Sequence, residues 1–296
     1  MNEKMLKVMT EGKGFIAALD QSGGSTPKAL KGYGIDESEY NGEEEMFNKV
    51  HEMRTRVITS PSFNQDRFVG AILFEGTMDR TIGDRYTADY LWNVKGIVPF
   101  LKIDKGLADL KDGAQVMKPN PGLADLLAHA RDDRGIFGTK MRSNIMEANP
   151  AGIKAVVDQQ FEVALQIAEA GLVPIIEPEV NIDIPDKAKA EDLLLENLLR
   201  CLNDVPEDTK LMFKITLPEV ANLYQPIIEA PQTVRVVALS GGYPLDLANE
   251  KLAANKGVIA SYSRALLNGL TAQQSEEEFN KVLAATAQAA YDASIT

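Results

Sequence analysis

Short runs rich in Val, Ile, Phe and Leu recur along the chain, separated by stretches whose apolar residues follow helical spacing. Eight such runs stand out: GFIAALD, RFVGAILFE, GIVPFLKID, IFGTKMR, LVPIIEPEV, KLMFKITL, VRVVALS and VIASYSRAL. A sheet with one wet face would alternate apolar and polar residues, so near-continuous hydrophobicity implies strands buried on both faces, as in a parallel sheet. Between the runs, segments such as NPAGIKAVVDQQFEVALQIAEAG read as amphipathic helices with a Gly stop. Eight strand–helix units are the number that closes a barrel, so the pattern predicts an α/β protein built as a single (β/α)8 TIM barrel.

The longest connection lies between the first two runs. It contains EYNGEEEMFNKVHEMRTRVITS and predicts an added helical segment at about 36–58. No Ser/Gly-rich linker divides the chain, so residues 1–296 are read as one catalytic-size domain. The acidic run Glu43 to Glu45 reads as a solvated helix start.

With 45% hydrophobic and 25% charged residues the composition is that of a globular protein, and the formal charge of −12 disfavours a non-specific hold on nucleic acid or on an anionic membrane. An anionic ligand therefore needs a local basic pocket. The one cysteine, Cys201, falls on the apolar side of a helical pattern and has no internal disulfide partner, which points to a reducing compartment. Neither a signal peptide nor a membrane span is expected, and the expected location is cytoplasmic. A homo-oligomer is compatible with the sequence.

Polar residues gather at the C-terminal ends of the runs, which in a parallel barrel form the catalytic face. They are Asp20, Glu75, Lys102 with Asp104, Lys140 with Arg142, Glu177 with Glu179, Lys214, Ser240 and Arg264. Members of each pair are two apart and so point to one side of their strand. Pointing inward, they can neutralise one another. Such residues also make salt-bridge layers that merely close a barrel mouth. That reading is weakest for Lys214, because Met212, Phe213, Ile215 and Leu217 offer no local counter-charge, and an amine that loses its proton easily is a nucleophile. The turn Ser240-Gly241-Gly242 after the seventh run, Arg264 near the end of the eighth, and the Gly-rich segment from Asp20 to Ser25 after the first are candidate phosphate-binding features, although each is also an ordinary strand-to-helix turn. His51 and His129 fall in helix-like segments away from strand ends, so no metal and no other cofactor is expected.

The ordered set ALDQSGGS, FLKIDKG, TKMRSN, VPIIEPEV, KIT after LMF, ALSGG and SYSRAL resembles the class I, Schiff-base-forming fructose-1,6-bisphosphate aldolases, from about Gly14 to Leu266. The resemblance implies a metal-independent lyase that reversibly cleaves a phosphosugar to dihydroxyacetone phosphate and glyceraldehyde 3-phosphate in glycolysis or gluconeogenesis. It implies that Lys214 forms the imine, that Glu177 is the acid/base for dehydration, and that Lys140 is the neighbouring cation. Glu179 and Arg142 would complete its charge network, and Asp20 would handle the C4 hydroxyl proton. Ser240, Gly241, Gly242, Ser263 and Arg264 match the C1-phosphate site, and Ser22, Ser25 and Lys102 the C6-phosphate site. Animal members have a glycine where this chain has Ser263, and they end in a long tail carrying a tyrosine that assists proton exchange. This chain stops soon after Tyr291, which resembles bacterial members with short C-termini. The alternatives are another Schiff-base phosphosugar lyase and a non-catalytic phosphosugar-binding barrel.

Overall fold

A computed structural model describes residues 2–22 and 25–296. The eight expected strands form: β1 (Phe15–Leu19), β2 (Phe68–Leu73), β3 (Val98–Lys102), β4 (Gly138–Ile145), β5 (Val173–Val180), β6 (Leu211–Thr216), β7 (Thr233–Leu239) and β8 (Val258–Tyr262). Neighbours in the chain are parallel neighbours in the sheet, and β8 returns to β1, so the sheet closes into a (β/α)8 barrel. β4 runs on to Ile145, past the expected end at Arg142, because the short segment Ala114–Gln115 pairs antiparallel with its last residues.

Period-two alternation splits the apolar residues of each strand between two cores. Ile16 and Ala18 of β1, Phe100 of β3, Ile175 of β5, Met212 of β6 and Val237 of β7 fill the barrel interior, while Phe15, Leu19, Leu101, Ile176, Phe213 and Val236 pack outward under the helices. Both sets are removed from water, which explains the unbroken apolar runs.

The N-terminal helix α1 (Glu3–Glu11) plugs the bottom of the barrel. Its first turn is capped by the Asn2 side chain, which accepts from the N–H groups of Lys4 and Met5. Met5 and Met9, one turn apart, join the interior core. Arg235 of β7 donates to the carbonyls of Met9, Thr10 and Gly12 and so ties down the C-terminal end of α1, where carbonyls lack intrahelical partners. The helix α2 (Ser25–Gly32) follows β1, and the added segment is a short 3-10 turn (Glu37–Glu39) followed by α3 (Gly42–Thr59). Glu43, Glu44 and Glu45 occupy the exposed first turn of α3, favourably placed against its dipole. Cys201 is buried on the helix Lys187–Leu202.

Closure of the barrel depends on β3 meeting β4, where Phe100 lies opposite Gly138. A Cβ on Gly138 would sit 2.2 Å from the Val173 carbonyl oxygen and 2.8 Å from the Phe100 ring. Neither the backbone nor a ring held in the interior core can yield, so Gly138→Ala is expected to destabilise the protein by about 2–3 kcal/mol. The expected readout is a lower midpoint of urea unfolding, and an unchanged midpoint would mean that the β3–β4 seam is looser than described.

Candidate active site

Interior positions turn polar at the C-terminal end of the barrel. On β4, Lys140 and Arg142 continue the inward row begun by Gly138; on β5, Glu177 and Glu179 follow Ile175; on β6, Lys214 follows Met212. The β5–β6 ladder stops at Ile176–Phe213. Beyond it the Thr216 hydroxyl donates to the Val180 carbonyl and accepts from the Val180 N–H, holding the two strand ends together past the point where Glu177 and Lys214 project.

Three of these charges form a line with Asp20, the residue after β1, at the floor of the mouth. Lys140 Nζ lies 2.7 Å from Asp20 Oδ2 and 2.8 Å from Glu177 Oε2, and Lys214 Nζ lies 3.0 Å from Glu177 Oε1. All four residues are buried. The counter-charge that Lys214 lacks in its own strand therefore comes from the neighbouring strand, which corrects the expectation drawn from its local sequence.

Burial alone would raise the carboxyl of Asp20, but the cations of Lys140, Lys214 and Lys102 outweigh it and hold the group at about 2, against 3.8 ordinarily. Burial likewise works against ionisation of Glu177, and Lys140 and Lys214 overcome it, so its carboxyl lies below the usual value. Burial works against the charge of Lys140, and Asp20, Glu177 and Asp104 reverse the effect and hold its ammonium well above the ordinary lysine range. Lys140 thus stays a cation between two anions.

Arg142 forms an ion pair with Glu179. Lys102 curls back on its own loop, donating to the Asp104 carboxylate at 2.7 Å and to its carbonyl at 2.9 Å, while Asp104 also accepts from the Arg142 N–H. Glu75, expected at the mouth, instead begins a short helix and pairs with Lys105 in solvent.

A cavity of about 610 Å³ opens above the line, walled by Asp20, Lys140, Glu177 and Lys214 below and by Ser240, Gly241, Ser263 and Arg264 on one side. That size accommodates a sugar phosphate. Gly241 adopts φ +63°, and a Cβ there would come 2.7 Å from Ile182, so the turn requires glycine. A Cβ on Gly242 would lie 3.9 Å from Nη2 of Arg264, which brings the guanidinium against the Gly-rich turn. Arg264 makes no ion pair with any described residue, and its side chain faces the cavity unneutralised.

Ser22 is half-buried on the loop after β1, and the Ser25 side chain and the neighbouring Gly23 and Gly24 lie outside the described residues. Among the polar residues of the cavity wall to which sequence reasoning gave no role are Lys28, Ser261 and Gln21. Lys28 lies on α2, one helical turn after Ser25, a spacing that could have flagged it. Ser261 is fully buried in β8, and its hydroxyl has no hydrogen-bond partner among the described residues. Gln21 donates its amide N–H to the Ser263 hydroxyl.

His51 lies on α3 with its Nε2 2.9 Å from the Thr81 carbonyl, and His129 lies between Asp79 and Asp133, both away from the cavity. Among the described residues no group of three or more His, Cys, Asp or Glu side chains is arranged to hold a metal ion, and no helix is long and apolar enough to cross a membrane.

The charge line makes stability pH-dependent in a definite direction. A carboxyl whose value is depressed in the folded state contributes stability above its unfolded-state value, and that contribution is lost as pH falls through the folded-state value. For Asp20 the window runs from about 4 down to about 2. Urea-unfolding midpoints measured at stepped pH should fall across this window, with about 2 kcal/mol attributable to Asp20. Asp20→Asn should show a shallower fall, and an identical slope in the variant would remove Asp20 from the charge line.

The class I fructose-bisphosphate aldolase family model matches residues 1–225. Among solved structures, the chain is similar to fructose-bisphosphate aldolase from Plasmodium falciparum, crystallised with TRAP and a small-molecule inhibitor: 20% identity, 98% of this chain and 94% of that one covered, TM-score 0.81. It is more distantly similar to Cgl0159 from Corynebacterium glutamicum, with 14% identity, 99% and 92% coverage and a TM-score of 0.54. The two likenesses concern the fold, whereas the family match extends over most of the sequence that carries the charge line. The chain belongs to the class I fructose-bisphosphate aldolase family.

Proposed function

We propose that the protein reversibly cleaves fructose 1,6-bisphosphate through a Schiff base on Lys214. The observation that carries this reading is the buried order Asp20–Lys140–Glu177–Lys214, with Lys214 touching a single carboxylate and Lys140 clamped by two. A proton passing from Lys214 Nζ to Glu177 Oε1 leaves a free amine and a carboxylic acid side by side. The amine attacks the C2 carbonyl carbon, and the proton that the attacking nitrogen sheds passes to the carbonyl oxygen, giving a carbinolamine. Glu177 then donates its proton to the departing hydroxyl, and water leaves as the protonated imine forms.

Asp20, ionised at neutral pH, accepts the C4 hydroxyl proton. The C4–O bond becomes a carbonyl, the C3–C4 bond breaks, and its electron pair moves into the imine to give an enamine. Glyceraldehyde 3-phosphate departs. Protonation of the enamine at C3 and hydrolysis of the imine release dihydroxyacetone phosphate and restore Lys214. Lys140 remains charged throughout and steadies the carboxylates on either side of it, with Glu179 and Arg142 extending the network. Arg264, Ser263 and the Ser240-Gly241-Gly242 turn would hold the C1 phosphate. Ser22, Ser25 and Lys102, joined by the cavity-lining Lys28, would hold the C6 phosphate.

Borohydride trapping with fructose 1,6-bisphosphate should add one substrate-derived adduct, and peptide mapping should locate it on Lys214. An adduct on Lys140 would overturn the assignment. Lys214→Ala should abolish trapping and keep the fold, because Glu177 retains Lys140 as a partner.

The two phosphate ends separate by substrate. Arg264→Ala should lower kcat/KM for fructose 1-phosphate and for the bisphosphate alike, by roughly ten- to a hundredfold, the worth of a lost charge-assisted hydrogen bond. Lys28→Ala and Lys102→Ala should penalise mainly the bisphosphate. Equal penalties on both substrates from all three changes would rule out a two-ended phosphate site.

A further inference from the structure

Arg54 of α3 is fully buried and makes no direct ion pair with any described residue, although the Asp20 carboxylate lies near enough to favour its charge. Its guanidinium donates to the Thr77 hydroxyl at 2.6 Å, to the backbone carbonyl of Gln21 and, at 3.3 Å, to the Gln21 side-chain oxygen, while its Nε has no partner among the described residues. A buried cation whose direct hydrogen bonds all go to neutral oxygens is costly, so its retention calls for a role. The chemistry of its partners supplies one. A guanidinium can only donate, which forces Gln21 to face it with Oε1 and to turn its amide nitrogen the other way. That nitrogen can only donate in turn, and it donates to Oγ of Ser263, across the gap between the ends of β1 and β8. With a lone pair of Oγ occupied, the Ser263 O–H is directed elsewhere, and Ser263 lines the cavity beside Arg264 and Gly241.

We infer that Arg54 and Gln21 are positioning residues that orient Ser263 as a hydroxyl donor to the substrate's phosphate. The inference rests on the aldolase reading in assigning a phosphate to this corner of the cavity. It also gives the side chain of Ser263 a place in anion recognition.

The test is a double-variant cycle read by calorimetric binding of inorganic phosphate, which needs no turnover and so separates this inference from the catalytic reading. Gln21→Met keeps the length of the side chain and removes both hydrogen bonds. It should raise the Kd for phosphate roughly tenfold, as should Ser263→Ala, and the double variant should bind no more weakly than Ser263→Ala alone. A purely structural role for Gln21 would instead give losses that multiply. Gln21→Glu is the second variant, for use if Gln21→Met does not fold: its carboxylate pairs with Arg54 and can only accept from Ser263, so unfolding midpoints should rise while phosphate affinity falls. Wild-type affinity in a folded Gln21 variant, or independent multiplicative losses, would overturn the inference. If the unsubstituted protein bound no phosphate, there would be no anion for Ser263 to hold and the inference would fall with the phosphate site, whereas phosphate binding without borohydride trapping would fault only the catalytic reading.

Discussion

Four charges in the mouth of an apolar barrel can exist there only as a set. An isolated ammonium or carboxylate at this depth would lose its charge or unfold the site, because the desolvation cost of each ion is several kcal/mol. The alternating order Asp20–Lys140–Glu177–Lys214 gives every member an opposite neighbour and sums to zero. The two ends of the line differ from its middle. Among the described residues Lys140 and Glu177 each have two ion-pair partners in the line, whereas Asp20 and Lys214 each have one, and all four border the cavity. The groups proposed for proton removal and nucleophilic attack are the singly paired ends of the line, and the groups that hold the line together are the doubly paired ones.

The barrel makes this line possible through geometry that no single strand contains. The inward row of each strand is apolar for its first half, so the charged half begins only where the interior core of Phe100, Ile175, Met212 and Val237 ends. That core excludes water from beneath the charges, and α1 seals it from the far side with Met5 and Met9. Register then sets which charges meet. Lys102 lies opposite Lys140 across the β3–β4 seam, an unfavourable like-charge pairing if left alone. It is relieved because Lys102 turns to Asp104 and Lys140 turns to Asp20 and Glu177.

Much of this was legible in the sequence, for a physical reason. Strands buried on both faces announce themselves as continuous apolar runs, and a charge inside such a run has nowhere to go but the strand end, which is why Lys140, Glu177 and Lys214 could be singled out. What escaped depended on chain direction after a strand or on contacts between distant segments. Glu75 follows β2 as Asp20 follows β1, yet a helical turn starting at Glu75 carries it into solvent. Asp104 captures Lys102 only because the loop after β3 folds back. Arg54 sits in EMRTR, which by composition reads as a wet helix face. It is buried because α3 leans on the β1 loop, a tertiary fact with no periodic signature.

The floor and the rim of the cavity solve different electrostatic problems. A protein with a formal charge of −12 repels a sugar bisphosphate at long range, so capture depends on local cations that are not already spent. At the floor every cation is matched by a carboxylate and has little left to offer an anion. At the rim, Arg264 and Lys28 line the cavity with no ion-pair partner among the described residues. Matched charges at the floor can exchange protons without altering the net charge of the site, and unmatched charges at the rim remain available to an anion. The division follows from where carboxylates were left out as much as from where lysines and arginines were put in: an Asp or Glu beside Arg264 would complete an ordinary surface ion pair and leave that end of the cavity without a hold on its ligand.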